Sequence, residues 1–174
     1  MDFRMTRSFH PFECEEQTLA GTLDEGSLTT GLIIVSGGNE IRSGAHAGMA
    51  RLAQKIAKKG YPVFRYDHRG IGDSSGTNRG FLETQDDISS AIEQFHKINP
   101  QIEKVVAFGN CDAASALAIF GANIAVDMVI LANPWVIEET DNTSEAPTAP
   151  PPSAIRSRYW ERIKKPTSII DLIT

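Results

Sequence analysis

The chain has 174 residues, which is enough for one ordinary domain with a hydrophobic core and too short to indicate two. Hydrophobic residues make up 41% and charged residues 22%, a balance that excludes collagen, a coiled coil and wholesale disorder. The formal net charge of -5 gives no general attraction to nucleic acids or anionic membranes, so neither is an expected partner.

The cysteine content and the absence of apolar segments suggest a cellular location. The two cysteines, Cys14 and Cys111, cannot form a disulfide framework or a four-ligand zinc site, and no sequence feature implies a metal ion or an organic cofactor. The first residues contain no apolar run long enough for a signal peptide, and no later stretch reaches the length of a membrane span. The sequence therefore predicts a cytoplasmic protein.

The apolar residues predict alternating strands and helices. Continuous apolar runs are typical of strands covered on both faces, and apolar residues three or four positions apart indicate amphipathic helices. In chain order the sequence predicts strands at 11–15, 19–23 and 31–35, a helix at 44–59, a strand at 61–66, a helix between 84 and 99, a strand at 104–108, a helix at 113–118 and a strand at 126–132. Thr84, with Asp87 three residues later, predicts a capping box at the start of the second helix. The pattern is typical of an α/β fold with a mainly parallel sheet and helices on both faces.

The segment Gly109-Asn110-Cys111-Asp112-Ala113 lies between a predicted buried strand and a helix of small residues. It has the form of a nucleophile elbow, a tight turn that exposes its central residue and requires small neighbours two positions away. A thiol there lies at a helix N-terminus, where free amides and the helix dipole favour the thiolate, the attacking form. Cys111 is therefore the candidate nucleophile. The alternative interpretation is a buried cysteine that acts as a small hydrophobic residue.

Two loops are expected to supply the backbone amides of an oxyanion hole. One amide belongs to Asp112, which follows the candidate nucleophile, and the second would come from Gly38 or Asn39 in the loop after the first buried strand. His46, near the start of the next helix, is expected to line the pocket. His68 lies in a glycine-rich turn, where polar side chains satisfy backbone groups, and a structural role is expected for it.

These motifs carry a resemblance to known families. Ser36-Gly37-Gly38, the run DHRGIGDSSG at 67–76 and the elbow resemble the α/β-hydrolase superfamily. More narrowly, the run from Gly109 to Ala116, with Asn39 and Arg42 in the glycine loop, resembles the exosortase A system-associated hydrolase 1 family. Those proteins are encoded alongside exopolysaccharide and protein-sorting systems in bacteria. The resemblance implies an ester or thioester hydrolase that acts on a small-molecule acyl substrate through a Cys, a His and an acid.

The chain departs from that pattern in its histidines. The resemblance extends from about residue 9 to residue 172, and the superfamily places its histidine after the last strand. All the histidines here precede the candidate nucleophile, so none can fill that position; they are His10, His46, His68 and His96. The sequence therefore resembles the N-terminal part of a hydrolase that is incomplete alone.

The resemblance also divides the chain. It implies the first half of the hydrolase core at 1–137, a proline-rich mobile linker at 138–153 and the cut-off start of a helical cap at 154–174. Missing strands would leave one side of the sheet uncovered, so a second copy of the chain or another polypeptide is the expected protein partner.

Alternative functions stay open. A non-catalytic remnant that uses the scaffold for binding is the second hypothesis, because no later histidine is present. A thiol redox role is disfavoured since no second cysteine lies near Cys111 in sequence. Nucleotide binding is disfavoured because the glycines at 70–76 lack the spacing and the lysine of a phosphate-binding loop.

Overall fold

A computed structural model describes residues 6–135. Within that range the strands are β1 (Arg7–Cys14), β2 (Gln17–Asp24), β3 (Thr30–Val35), β4 (Val63–Tyr66), β5 (Lys104–Asn110) and β6 (Met128–Ala132). The helices are α1 (Gly48–Ala57), α2 (Gln85–Ile98) and α3 (Asp112–Phe120), with short 3-10 turns at Ala45–Ala47 and Phe81–Glu83. None of these helices is long and apolar enough to cross a membrane. The linker and cap predicted at 138–174 lie outside the described residues.

The strands of the described residues form one sheet in the order β1-β2-β4-β3-β5-β6. β1 and β2 pair antiparallel, β2 is antiparallel to β4, and β3, β4, β5 and β6 run parallel. The sequence prediction of a mainly parallel α/β sheet is confirmed. Because β3 lies between β4 and β5, the carboxyl ends of these strands, and the loops that follow them, meet at one edge of the sheet.

Helices cover both faces of the sheet. Successive side chains of a strand point to opposite faces, so a continuous apolar strand presents apolar residues to the helices on each side. On one face Ile33 and Phe64 pack with residues of α2 and α3, and the rings of Phe64 and Phe95 stack with their centres 5.6 Å apart. On the other face Leu32 and Ile34 pack with Ala53 and Ala57 of α1 and with Val63. The alternation inside one continuous apolar run explains why β3 is buried from both sides.

Two helix starts differ from the sequence prediction. The predicted helix at 44–59 begins later, because His46 and Ala47 have φ of 50° and 57° and form a 3-10 turn, so that α1 starts at Gly48. The predicted capping box is wrong. The Thr84 hydroxyl donates to the Phe81 carbonyl at 2.7 Å instead of capping α2, and the carboxylate of Asp87 binds the amide of Arg69 at 3.0 Å. The carboxylate that the pattern assigned to the cap therefore binds Arg69 in the loop after β4.

The last described strand, β6, differs from the covered strand that its apolar sequence predicts. β6 pairs only with β5 among the described residues, at the edge of the sheet. Its large side chains are 36–59% exposed, namely Met128, Val129, Ile130 and Leu131. An apolar edge strand is thus open to contact in residues 6–135.

Candidate active site

Cys111 lies at the turn between β5 and α3, with φ 61° and ψ -128°. Residues other than glycine rarely adopt this conformation, which costs of order 1–3 kcal/mol and persists only where neighbouring structure enforces it. Here the Cys111 amide donates to the Ala132 carbonyl at 3.0 Å, and the Cys111 carbonyl accepts from the amides of Ala114 at 3.1 Å and Trp135 at 3.3 Å. The half-buried thiol thus lies on a turn whose backbone is held from both sides.

The turn needs small residues on either side of Cys111. A Cβ atom on Gly109 would lie 2.7–2.9 Å from backbone atoms of Ala113 and Ala114, closer than real Cβ atoms approach. Ala113 itself is a buried residue in the first turn of α3. Strand and helix therefore approach each other closely enough only because position 109 is glycine, the spacing on which the sequence prediction of an elbow rested.

The structure brings Gly38 and Asp112 together, although 74 residues separate them. β3 and β5 are adjacent parallel strands, and Val35 is opposite Gly109, so the loop after β3 reaches the start of α3. The Gly38 amide lies 2.8 Å from Oδ1 and 2.9 Å from Oδ2 of Asp112. The predicted oxyanion donor at Gly38 therefore donates to the Asp112 carboxylate in this structure.

The remaining predicted site residues occupy different surroundings. Asn39 is exposed, and its Oδ1 accepts a hydrogen bond from Asn78 Nδ2 at 2.9 Å. His46 is exposed in the 3-10 turn before α1, and its carbonyl accepts from the guanidinium of Arg51. Asn39 and Gly38 line a cavity at this edge of the sheet. His46 is not among the residues that line this cavity.

A cavity of about 170 Å³ lies between the loop after β3, the loop after β4 and α3. Polar side chains on its wall include Ser36, Asn39, His68, Asn78, Thr84 and Asp112. The Ser36 hydroxyl is buried, and within residues 6–135 it has no hydrogen-bond partner. The cavity therefore offers a donor and acceptor to a small polar group at the edge of the sheet where the elbow lies.

His68 lines this cavity, a placement that the sequence interpretation as a turn residue missed. Its Nδ1 lies 3.3 Å from Oδ2 of Asp87, and its Nε2 lies 3.1 Å from the Ser36 carbonyl oxygen. Both ring nitrogens thus lie within hydrogen-bond distance of acceptor atoms inside the protein. The available signal was the position of His68 two residues after β4, beside the loop that holds Gly38.

Asp87 joins the loop after β4 to α2 and to β1. Burial raises the pKa of the Asp87 carboxyl, but hydrogen bonds from His68 and Arg69 and the charges of both outweigh burial, so that the pKa lies below its ordinary value. The thiol of Cys14 lies 3.5 Å from Oδ1 of Asp87, and burial raises the pKa of this thiol. Cys14 is 1% exposed, so the protein carries one buried and one half-buried thiol.

Arg42 ties the loop after β3 to the loop after β4. Its amide donates to Oδ1 of Asp67 at 2.5 Å, and its guanidinium pairs with Oδ2 of the same carboxylate. The guanidinium also binds Asp73 at 2.8 Å and Thr22 at 3.0 Å. Asp67 is fully buried, whereas the Asp73 side chain is 71% exposed. The loop that presents Gly38 is therefore fixed through a buried ion pair four residues further along.

The described residues do not form a metal centre. Within residues 6–135, no group of three or more His, Cys, Asp or Glu side chains is arranged to hold a metal ion.

Comparison with known protein families identifies the family of this chain. A family model described as serine aminopeptidase, S33, matches residues 29–168, which is most of the chain. The chain belongs to this family. The family's description names a serine, and in this member the elbow carries Cys111. No curated protein sequence matches the chain.

Solved structures of the same fold are similar to the described architecture. An esterase of Pyrococcus furiosus superposes with a TM-score of 0.68 and 17% identity over 76% of this chain and 51% of its own. The α/β hydrolase GrgF from Penicillium sp. sh18 gives 0.67 and 23% identity, over 95% and 55%. Est1E from Butyrivibrio proteoclasticus, solved with ferulic acid, gives 0.60 and 17%, over 72% and 52%. The chain spans about half the length of these proteins, and the likeness shows the α/β-hydrolase fold.

Proposed function

We propose that this chain supplies the nucleophile and the oxyanion loop of an acyl hydrolase. The Cys111 thiolate attacks the carbonyl carbon of a small ester or thioester, and the carbonyl oxygen becomes an oxyanion beside the amides of Asp112 and of Gly38 or Asn39. The leaving group departs with its electron pair and takes up a proton, and water then hydrolyses the acyl-thiol intermediate. The observation that carries the proposal is the strained backbone of Cys111 at a strand-to-helix turn.

The proton transfers need a base that these 174 residues do not place after the nucleophile. Every histidine precedes Cys111 in sequence, and both ring nitrogens of His68 are engaged. We propose that the histidine and its acid come from a longer chain or from a second polypeptide. The resemblance to the exosortase A system-associated hydrolases supports a cytoplasmic role beside bacterial exopolysaccharide and protein-sorting systems.

The test is acylation of the thiol by an activated ester, followed by intact-protein mass spectrometry. Incubation with p-nitrophenyl acetate is expected to add an acetyl group that neutral hydroxylamine removes, because hydroxylamine cleaves thioesters. Cys111→Ala should lose this adduct, and Cys14→Ala should keep it, since Cys14 is the other cysteine of the sequence and is buried. An adduct of the same kind on Cys111→Ala would remove the nucleophile assignment.

A second candidate function, a non-catalytic protein that binds through the α/β scaffold, is favoured by a specific observation. The Asp112 carboxylate accepts from the Gly38 amide, and the ring nitrogens of His68 lie beside the Asp87 carboxylate and the Ser36 carbonyl. Iodoacetamide distinguishes the two candidates because it alkylates an accessible thiol without forming an oxyanion. A chain in which Cys111 is alkylated readily but never acetylated would support the binding protein.

A further inference from the structure

The carboxylate of Asp112 accepts a hydrogen bond from the Gly38 amide, one of the amides expected to stabilise the oxyanion of an acyl substrate. Both carboxylate oxygens lie within 2.9 Å of the Gly38 amide nitrogen. A carboxylate oxygen and a tetrahedral oxyanion are chemically alike in this respect, since each is a negatively charged oxygen that accepts from a backbone amide. The single amide hydrogen of Gly38 cannot donate at full strength to the carboxylate and to an oxyanion at the same time.

The loop after β3 is shaped to admit this side chain. A Cβ atom on Gly37 would lie 2.4 Å from Oδ1 of Asp112, so a larger residue would push the carboxylate away. Gly38 has a φ of +54°, a conformation that favours glycine and that turns its amide toward α3. Among the described residues Asp112 has no ion-pair partner, and its side chain is half-buried. The Gly38 amide is therefore the polar contact that the structure shows for this half-buried side chain.

We propose that Asp112 is an internal competitor for the oxyanion site, and this rests on the proposed function. While the carboxylate accepts from Gly38, an acyl carbonyl at Cys111 lacks one of its two stabilising amides. Acyl transfer then requires the side chain to turn away from the loop, and Asp112 selects for substrates whose oxyanion displaces it. The carboxylate slows acylation of the thiol specifically, beyond any effect of its charge on the thiolate.

The experiment compares two reactions of the same thiol in the same protein. p-Nitrophenyl acetate forms an oxyanion, whereas iodoacetamide reacts at a saturated carbon and forms none. The charge of Asp112 affects the thiolate equally in both reactions, so the ratio of acetylation rate to alkylation rate isolates the oxyanion site. Asp112→Ala is expected to raise this ratio about tenfold, the effect of removing a charge-assisted hydrogen bond, and Asp112→Asn is expected to raise it less.

The matched control is Asp86→Asn, which removes an exposed carboxylate from the first turn of α2 and should leave the ratio unchanged. Thermal unfolding of each variant checks that it is folded, and Asp112→Asn keeps the size of the side chain. A ratio that stays at the wild-type value in both Asp112 variants, with acetylation present, overturns the competition and leaves the proposed function standing. Alkylation without acetylation in every variant overturns both, because Asp112 then has no oxyanion to exclude.

Discussion

At Cys111 the backbone adopts φ 61° and ψ -128°, in a region where a Cβ atom is strained and glycine is not. Two variants that both lack the thiol separate this strain from chemistry. Cys111→Gly is expected to be more stable than Cys111→Ala by about 1 kcal/mol, because relief of strain exceeds the entropy that glycine loses on folding. Urea denaturation followed by circular dichroism measures the difference.

The control for this comparison is an alanine in a relaxed helical conformation. Ala118 lies on the exposed side of α3, and Ala118→Gly should destabilise the protein by about 1 kcal/mol. The same chemical change, alanine to glycine, is therefore expected to have opposite signs at positions 111 and 118. Equal destabilisation at both positions would mean that the elbow is unstrained.

The role of a residue could be predicted from the sequence where backbone spacing determines it. It could not be predicted where the role depends on the conformation of a side chain. The elbow around Cys111 follows from spacing, since a Cβ atom on Gly109 would lie too close to the backbone of Ala113. The contact between the Asp112 carboxylate and Gly38 depends on the rotamer of one side chain and on a loop 74 residues away. No local pattern contains that information, and the same holds for the two acceptors around His68.

At the scale of secondary-structure elements, one buried carboxylate fixes the loop after β3. Arg42 pairs with Asp67, which is fully buried, and with Asp73, whose side chain is 71% exposed. Asp67→Asn is expected to destabilise the protein by about 3 kcal/mol, because the largely buried guanidinium of Arg42 then loses the negative charge that it pairs with. Asp73→Asn should cost less than about 1 kcal/mol, since water screens an exposed pair. Chemical denaturation of the two variants measures both values, and similar losses would contradict the role of burial.

The helix α2 carries a pH-dependent contribution to stability through Asp87. The pKa of this carboxyl is lowered in the folded protein, so its stabilising effect is complete above the ordinary unfolded value of about 4 and is lost as the pH falls through the folded pKa. Asp87→Asn should therefore be less stable than the wild type near neutral pH, and its stability should fall less on acidification below about pH 4.

Denaturation midpoints measured from neutral to acidic pH test this expectation. Asp86→Asn is the matched control, because Asp86 lies next to Asp87 in the first turn of α2 but is exposed. Its stability profile should remain parallel to that of the wild type. An Asp87→Asn profile that is also parallel would show that the carboxylate has the same pKa in the folded and unfolded chain.

Element boundaries were predictable where hydrophobic periodicity decides them and not where a tertiary contact does. β3 and β5 were predicted because continuous apolar runs must be buried on both faces. The capping box at Thr84 and Asp87 was wrong because the carboxylate binds Arg69 and His68, which lie in another loop. The start of α1 was wrong because Gly44, His46 and Ala47 have positive φ and precede the helix in a turn.

For the whole molecule, the sequence predicted a parallel sheet but not its strand order. Alternation of strands and helices implies crossovers, and crossovers imply parallel strands. The order β1-β2-β4-β3-β5-β6 depends on which strands become neighbours, and this order makes Gly38, His68 and Cys111 meet at one edge. The exposure of β6 was not visible either, because an edge strand and a central strand can have the same apolar sequence.

The apolar edge at β6 predicts association of the 174-residue chain with itself or with another polypeptide, which we proposed as the partner that covers the sheet. Ile130 on β6 is 46% exposed and lies opposite Phe108, so Ile130→Lys places a charge on the edge strand. Lysine on an exposed edge opposes strand pairing between chains. Light scattering at increasing protein concentration is expected to show association of the wild type and less association of this variant.

A matched control separates the strand edge from general surface hydrophobicity. Ile119 on α3 is 51% exposed, about as much as Ile130, but a helix offers no unpaired strand for another chain to join. Ile119→Lys should therefore associate as the wild type does, although the change in net charge is identical. If both variants become equally monomeric, the added charge alone accounts for the effect. If only Ile130→Lys does, the outer edge of β6, which pairs with no other strand within residues 6–135, holds the copies together.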